Sequence, residues 1–340
     1  MRSKDMDVFK DKTILLTGGT GSFGNKFTEI ILRDHKPEAI RIFSRGEKKQ
    51  LDMANKFNDD RLRFFIGDVR DSSRLHRAMY DVDIVVHAAA LKQVPACEYN
   101  PIEAIRTNVD GAINVIDTAI DNGIKKVMAL STDKAVHPVN LYGATKMTAE
   151  KLFIQGNFYS GKVKTKFSCV RYGNVIGSRG SVIPLFLEQK KKGIITITDD
   201  KMTRFWITLD QGVKFVIYSV NKMRGGEIFV PKIPSMKLID LANAIAPEAK
   251  KKIVGIRPGE KIHEILLTED ESRHAREFPE SYIIEPDPPF WEINEKIRGK
   301  KLPEGFRYTS ENNKIWLTKS NLIKIIEEIE CQKKNLLSGE

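Results

Sequence analysis

The segment Thr17-Gly18-Gly19-Thr20-Gly21-Ser22-Phe23-Gly24 directly follows a short apolar run, Thr13 to Thr17, and opens a helical stretch that continues through Asn25 to Leu32. A strand, a glycine-rich turn and a helix in that order leave few folds open. Gly18 and Gly21 carry no side chain to keep backbone N–H groups away from a pyrophosphate, and the helix N-terminus behind them favours an anion. Gly24 permits close packing of the helix on the sheet. With Thr20, Ser22 and Phe23 the turn reads as the phosphate-binding element of a dinucleotide site.

The same alternation recurs through the first half of the chain. Thr13 to Thr17, Ala39 to Ser44, Arg63 to Gly67, Asp83 to Ala88, Lys126 to Ser131 and Lys166 to Tyr172 read as strands, most of them separated by a helix-length segment. Six such strands imply an α/β fold with a doubly wound parallel Rossmann sheet. After Gly177 the rhythm loosens into Gly and Pro punctuation and the alternation Ile195-Thr196-Ile197-Thr198, the pattern of a smaller α/β substrate-binding domain. The expected division is therefore a loose extension over 1–12, a nucleotide-binding domain over 13–176, a second domain over 177–330 and a frayed tail over 331–340. The strand-like run Glu227 to Val230 lets part of the region 207–240 return to the first domain.

Composition narrows the function classes. The chain has 340 residues, 41% hydrophobic and 30% charged, enough apolar material for a sizeable core. Its net charge of +11 favours anionic partners, and nucleotide phosphates satisfy that as well as nucleic acid does. The clusters Lys190 to Lys192 and Lys250 to Lys252 are short and lack interleaved aromatics, so nucleic-acid binding is not expected. Cys97, Cys169 and Cys331 have neither metal nor redox spacing, which fits a reducing cytoplasm, and the six histidines form no ligand motif, so no catalytic metal is expected. The N-terminus has no secretory pattern, and no run of about 18 apolar residues suggests a membrane span.

The second strand ends in Ser44-Arg45, where NAD-binding chains of this type place an acidic residue. Arg45, helped by Lys48 or Lys49, offers a phosphate its donors, so NADP is expected rather than NAD. Asp68 and Val69 close the third strand, where they can hold the adenine edge. Ala88, Ala89 and Ala90 close the fourth, small enough for the dinucleotide to lie across them. Tyr142 and Lys146 stand four apart, so a helix would put both on one face, where the ammonium can lower the phenol's pKa and hold the nicotinamide ribose.

The combination TGGTGSFG, HAAA, YGATK and Arg171-Tyr172-Gly173-Asn174-Val175 resembles the extended short-chain dehydrogenase/reductase superfamily acting on nucleotide sugars. Within it, LSTDKAVHPVNLYGATK, MTRFW and GIRPGEKIHE are most similar to the inverting UDP-N-acetylglucosamine 4,6-dehydratases of the pseudaminic acid pathway. The resemblance implies UDP-N-acetylglucosamine as substrate, with Tyr172, Asn174 and Val175 beside the cofactor. Dehydration across carbons 5 and 6 needs oxidation at carbon 4, a base for the carbon 5 proton and an acid for the leaving hydroxyl. Lys134 and Asp133 supply that base and acid, Tyr142 takes the 4-hydroxyl proton and Thr132 bonds that hydroxyl. Glucose 4,6-dehydratases carry Asp-Glu at this place, and simple 4-epimerases have neither group.

By the same resemblance Arg204 and Arg257 clamp the diphosphate, Asn174 reaches a phosphate or sugar oxygen, and Lys92 approaches the sugar. The segment Ser181 to Pro184, with Val182, and the strand around Thr196 line the uridine site, and Asn312 is a further contact. Family resemblance also implies a homo-oligomer assembled through the helices Ile102 to Asn122 and Tyr142 to Tyr159. A UDP-hexose 4-epimerase sharing Tyr142 and Lys146, and a non-catalytic NADP-sensing protein, are the rival readings.

Overall fold

A computed structural model describes residues 7–177, 182–286 and 298–338. Ser181 and residues 1–6 and 339–340 lie outside the described residues. Six strands form the parallel heart of the molecule: β1 (Thr13–Thr17), β2 (Ala39–Ser44), β3 (Leu62–Ile66), β4 (Ile84–His87), β5 (Lys126–Leu130) and β6 (Lys166–Val170). Their spatial order, β3-β2-β1-β4-β5-β6, is that of a doubly wound sheet, with the order reversing between β1 and β4. Every residue of β1 and β4 is buried, as expected for central strands covered by helices on both faces.

The sheet does not stop at β6. The strand Ile228–Pro231, buried throughout, pairs parallel with β6, and Ser281–Ile284, Ala275–Glu277 and Lys300–Lys301 follow it in antiparallel order to make ten strands. A single boundary near 176 therefore does not describe this chain. The helix Leu209–Lys222, in contact with Ser22–Asp34, and the strands Ala275–Glu277, Ser281–Ile284 and Lys300–Lys301 complete the nucleotide-binding body. The smaller body keeps its own core of Ile183, Phe186, Ile195, Ile197, Trp206 and Leu241, with Leu322 contributed from the last helix.

The ends of the chain also depart from expectation. Residues 7–12 are packed rather than loose: Phe9 is fully buried with its ring edge-on to Phe27 and His35, and the Asp7 carboxylate lies 2.8 Å from His35 Nδ1. The expected frayed tail continues the helix Lys319–Ser338.

Two helices carry the site. Gly24 lets Ser22–Asp34 sit directly on the turn, because a Cβ there would stand 2.1 Å from the Gly19 carbonyl oxygen. The helix Leu141–Tyr159 starts at Asn140, whose Oδ1 accepts from the Gly143 N–H at 2.8 Å. The long helical stretch before β5 is one continuous run with a π turn, Pro101–Ile105, Arg106–Asp110 and Gly111–Asp121.

Candidate active site

A cleft of about 1210 Å³ runs across the carboxyl ends of the parallel strands and on between the two bodies. That exceeds the roughly 300–1,000 Å³ of a site for one drug-sized molecule and suits a dinucleotide plus a second ligand. Its floor is the glycine turn. Gly18 has φ +65°, and a Cβ on it would come within 2.9 Å of Ala89 Cα and N, so only glycine lets the turn lie against the end of β4. The Thr17 hydroxyl accepts from the N–H groups of Ala88 and Ala89 at 3.2 and 3.3 Å and pairs with His87 Nδ1 at 2.9 Å, knitting the two strand ends together. Burial drives the His87 imidazole down to about 3, so the ring is neutral.

Gly21 caps the helix Ser22–Asp34 with no side-chain hydrogen bond, which leaves first-turn N–H groups free for an anion. Thr20, Ser22, Phe23, Ala88, Ala89, Ala90, Asp68 and Val69 all line the cleft, so the donor set and the cradle fit a nicotinamide dinucleotide. At the end of β2, Ser44, Arg45 and Lys49 line it, whereas Lys48 does not. Arg45 keeps 59% of its side chain exposed and stands 3.7 Å from Asp68, whose carboxyl is held below its usual range, against burial, by Arg70 and Arg45.

Thr132, Lys134, Tyr142, Lys146, Tyr172, Asn174 and Val175 line the same cleft. Asp133 lies just under this wall, fully buried, its Oδ1 accepting from Lys134 Nζ at 3.0 Å and from the Thr132 hydroxyl at 2.8 Å. Its Oδ2 has no hydrogen-bond partner among the described residues. Burial pushes the Asp133 carboxyl up, Lys134 opposes this and Glu264 adds to it. Lys134 also donates to Asn174 Oδ1 at 3.2 Å. Burial alone would weaken its ammonium, but Asp133 and Glu264 outweigh that and hold it charged.

Tyr142 differs from the sequence expectation. Burial raises the phenol to about 12, and the cation that pulls it the other way is Lys134, helped by a hydrogen bond from Thr132, rather than Lys146. Lys146 is itself buried and its ammonium is weakened by that burial, with Cys169 and Glu150 opposing.

On the substrate side, Lys92, Val182, Thr196, Arg204 and Arg257 line the cleft. Thr196 is fixed by Gln189, which donates to its hydroxyl at 2.8 Å and accepts from its N–H at 3.1 Å. Arg257 lines the cleft and is exposed. Arg204 is not available in the same way. It is buried, its Nη atoms donate to the carbonyls of Thr203, Lys261 and Ile262, and its Nε faces Glu264 at 3.6 Å, so it ties the cleft wall to the 261–264 segment rather than offering a free fork. Asn312 is outside the cleft lining; its side chain accepts from Thr309 N–H and donates to the Arg307 carbonyl, closing its own turn.

Residues 14–286 match the family described as polysaccharide biosynthesis protein. This chain belongs to that family. It is 52% identical to the UDP-N-acetylglucosamine 4,6-dehydratase (inverting) of Campylobacter jejuni over 332 residues, covering 95% of this chain and 99% of that one. It is also 46% identical to the UDP-glucose 4-epimerase of Rickettsia conorii, covering 82% and 84%. Among solved structures, Pen from Bacillus thuringiensis superimposes with a TM-score of 0.86 at 40% identity, covering 94% of this chain and 98% of that one.

For a member of this family, several residues around the site were not singled out by sequence reasoning. Glu150 continues the Tyr142 and Lys146 spacing by four more residues and accepts from Ser131 Oγ at 2.6 Å and from the Arg171 guanidinium. The i, i+4, i+8 repeat was the available signal for it. Lys261 and Glu264 sit within GIRPGEKIHE, but only the fold reveals that Glu264 meets both Lys134 and Lys261. Among the described residues, no group of three or more His, Cys, Asp or Glu could hold a metal, and no helix is long and apolar enough to cross a membrane.

Proposed function

We propose that this protein is an inverting UDP-N-acetylglucosamine 4,6-dehydratase that uses NADP. The reading rests above all on Lys134, beside Tyr142 on the cleft wall, and Asp133 just beneath it, in contact at 3.0 Å. A 4-epimerase needs only the tyrosine and the cofactor, whereas this pair is the acid and base that an elimination requires. The 52% identity to the Campylobacter jejuni dehydratase over nearly the whole of both chains supports the same choice.

The turn at Gly18 to Gly24, the strand ends at Asp68 and Ala88 to Ala90, and Lys146 would hold the dinucleotide. Arg45 and Lys49, without an acidic residue at the end of β2, favour the 2'-phosphorylated form. When bound, the cofactor accepts a hydride from carbon 4 and returns it to carbon 6. Tyr142 takes the 4-hydroxyl proton while Thr132 bonds the same oxygen. Lys134 and Asp133 begin as ammonium and carboxylate, and transfer of one proton along their contact gives an amine and a carboxylic acid. The Lys134 amine then removes the carbon 5 proton while Asp133 protonates the departing 6-hydroxyl, which leaves as water. That step regenerates the ammonium and the carboxylate. A solvent proton enters carbon 5 from the opposite face, which gives an L-configured 4-keto sugar, and Tyr142 returns its proton to solvent.

Arg257 would clamp the UDP diphosphate, with Val182 and Thr196 toward the uridine and Lys92 and Asn174 toward the sugar. Apolar side chains left exposed on the helices flanking the nucleotide-binding body, among them Ile102, Ile105, Met147, Phe158 and Tyr159, favour a homo-oligomer assembled through those helices.

The test is proton NMR of the purified protein with UDP-N-acetylglucosamine and NADP in deuterated water, without external reductant. Loss of water with deuterium at carbon 5 and inverted coupling there is the expected result. Conversion to the 4-epimer with the 6-hydroxyl retained would assign the protein to the epimerases instead.

A further inference from the structure

Glu264 and Lys261, from a segment distant in sequence, and Arg204 gather beside the catalytic pair. The segment 259–264 is clasped onto residues 134–140: Asn140 Nδ2 donates to the Gly259 carbonyl at 2.8 Å, and Lys261 Nζ donates to the Val136 carbonyl. This brings Glu264, 3% exposed, to 3.6 Å from Lys134 Nζ. Arg204 Nε lies 3.6 Å and Lys261 Nζ 3.8 Å from the same carboxylate. The main chain of Glu264 is pinned in both directions by Ser310, which accepts from its N–H at 2.9 Å and donates to its carbonyl at 2.8 Å. Its Oε2 makes no hydrogen bond among the described residues, so nothing but the surrounding cations compensates this buried charge.

We propose that Glu264 is a positioning residue of the dehydration: a fixed carboxylate that holds the Lys134 amine on the cleft wall and faces the positive charge that develops there as the carbon 5 proton is taken. The inference rests on the dehydratase reading. When Asp133 holds the proton destined for the leaving hydroxyl, it is neutral, and Glu264 is the carboxylate left beside Lys134. Its attraction is weak toward the neutral amine formed by the proton transfer to Asp133 and strong toward the ammonium that forms next, so it favours the elimination step that follows that transfer. No new covalent step is involved. Glu264 keeps its charge while one proton moves from carbon 5 to Lys134 and another from Asp133 to the 6-oxygen.

The environments of the two carboxyls match this division. Glu264 is held below the usual range because Lys134, Arg204 and Lys261 outweigh its burial, whereas burial with Glu264 nearby pushes Asp133 up. Such divergence marks one group as the proton carrier and the other as the permanent charge. Among the described residues, Tyr142 and Lys92 also interact with Lys134, and Arg257 and Glu260 line the same small cavity as Lys134, Arg204, Lys261 and Glu264.

The test compares wild type, Glu264→Gln and Glu264→Asp. Turnover of UDP-N-acetylglucosamine is measured together with the titration of Asp133, followed by NMR of protein labelled at the aspartate carboxyl carbon, with the signal assigned by Asp133→Asn. In Glu264→Gln, kcat is expected to fall at least about tenfold with KM within about threefold, and Glu264→Asp to recover part of the loss. Removing the negative neighbour also leaves Lys134 to Asp133 alone, so Asp133 should titrate about one pH unit lower. An unchanged Asp133 titration overturns the proposal whatever happens to activity, and so does an unchanged kcat. A loss confined to KM would make Glu264 a substrate-binding residue and equally overturn it. If Asp133 shifts as expected but wild type releases no water from the sugar, the electrostatic coupling stands and the dehydratase reading is what fails.

Discussion

Lys134 Nζ lies 3.0 Å from Oδ1 of Asp133, a carboxyl with no exposed surface, so the base and the acid of the proposed elimination touch each other. Two adjacent residues in a 3-10 turn, Asp133–Ala135, create that contact, and Thr132 starts the turn by accepting from the Lys134 N–H. Asp133→Asn keeps the shape but removes the transferable proton. It is expected to lower kcat by about 10²–10⁴ while KM changes little. Because Lys134 becomes an amine by passing its proton to Asp133, deuterium uptake at carbon 5 should fall together with water loss. Near-normal water loss in Asp133→Asn, followed by NMR, would remove Asp133 from the mechanism.

Arg45 carries the cofactor choice. It is the exposed cation at the end of β2, with Lys49 the other basic residue of that rim and Asp68 3.7 Å away. A charge-assisted contact to a 2'-phosphate contributes about 1.5–3 kcal/mol, which corresponds to roughly 10- to 100-fold in affinity. Arg45→Ala should therefore weaken NADP binding by about that factor and NAD binding by less than about threefold, as read by calorimetric titration. Equal weakening of both would mean that Arg45 does not read the phosphate.

Gly24 is a packing requirement, separable from phosphate binding. A methyl group there would meet the Gly19 carbonyl at 2.1 Å, and backbone cannot move aside as a flexible side chain can. Gly24→Ala should cost about 1–3 kcal/mol or more of stability and lower the melting temperature. Serine at the cap is a different case: Gly21→Ser adds a Cβ 3.2 Å from the Gly18 carbonyl, so its loss should fall on dinucleotide affinity more than on folding. Thermal denaturation and cofactor titration on the two variants separate these effects.

The nucleotide-binding half was legible because each of its signals is local. The limits expected for β1 and β2 coincide with those found, since a buried strand between turn residues is specified by its own sequence. What the sequence left open depends on contacts across long separations. Nothing within Ala275 to Ile284 says that its strands extend a sheet begun more than two hundred residues earlier, and Phe9 looks like any residue of a polar leader until it is seen under Phe27. The site divides the same way. Tyr142 and Lys146 are a spacing, whereas the commitment of the Arg204 guanidinium to the carbonyls of Thr203, Lys261 and Ile262 is a tertiary fact with no local sign.

Arg171 bolts the catalytic helix to the chain beyond residue 260. Its guanidinium, 2% exposed, makes two hydrogen bonds to Glu271, at 2.9 and 3.0 Å, and two to Glu150, and donates to the Leu266 carbonyl. Removing one member of a buried ion network strands the others, so Arg171→Met should cost about 3–5 kcal/mol. The pH dependence follows from Glu271, which burial would raise but Arg171 holds below its usual value. A carboxyl depressed by folding contributes stability that is present above its unfolded pKa, about 4.3, and lost as pH falls through the folded value. Wild type should therefore lose melting temperature as pH drops below about 4.3 through protonation of Glu271. In Arg171→Met that carboxyl is no longer depressed, so this part of the acid-induced loss should shrink although the variant is less stable at neutral pH. Melting curves between neutral and acid pH, with Glu271→Gln as the reference that lacks the titrating group, decide it: an Arg171→Met curve parallel to wild type throughout would mean that Glu271 draws its low pKa from elsewhere.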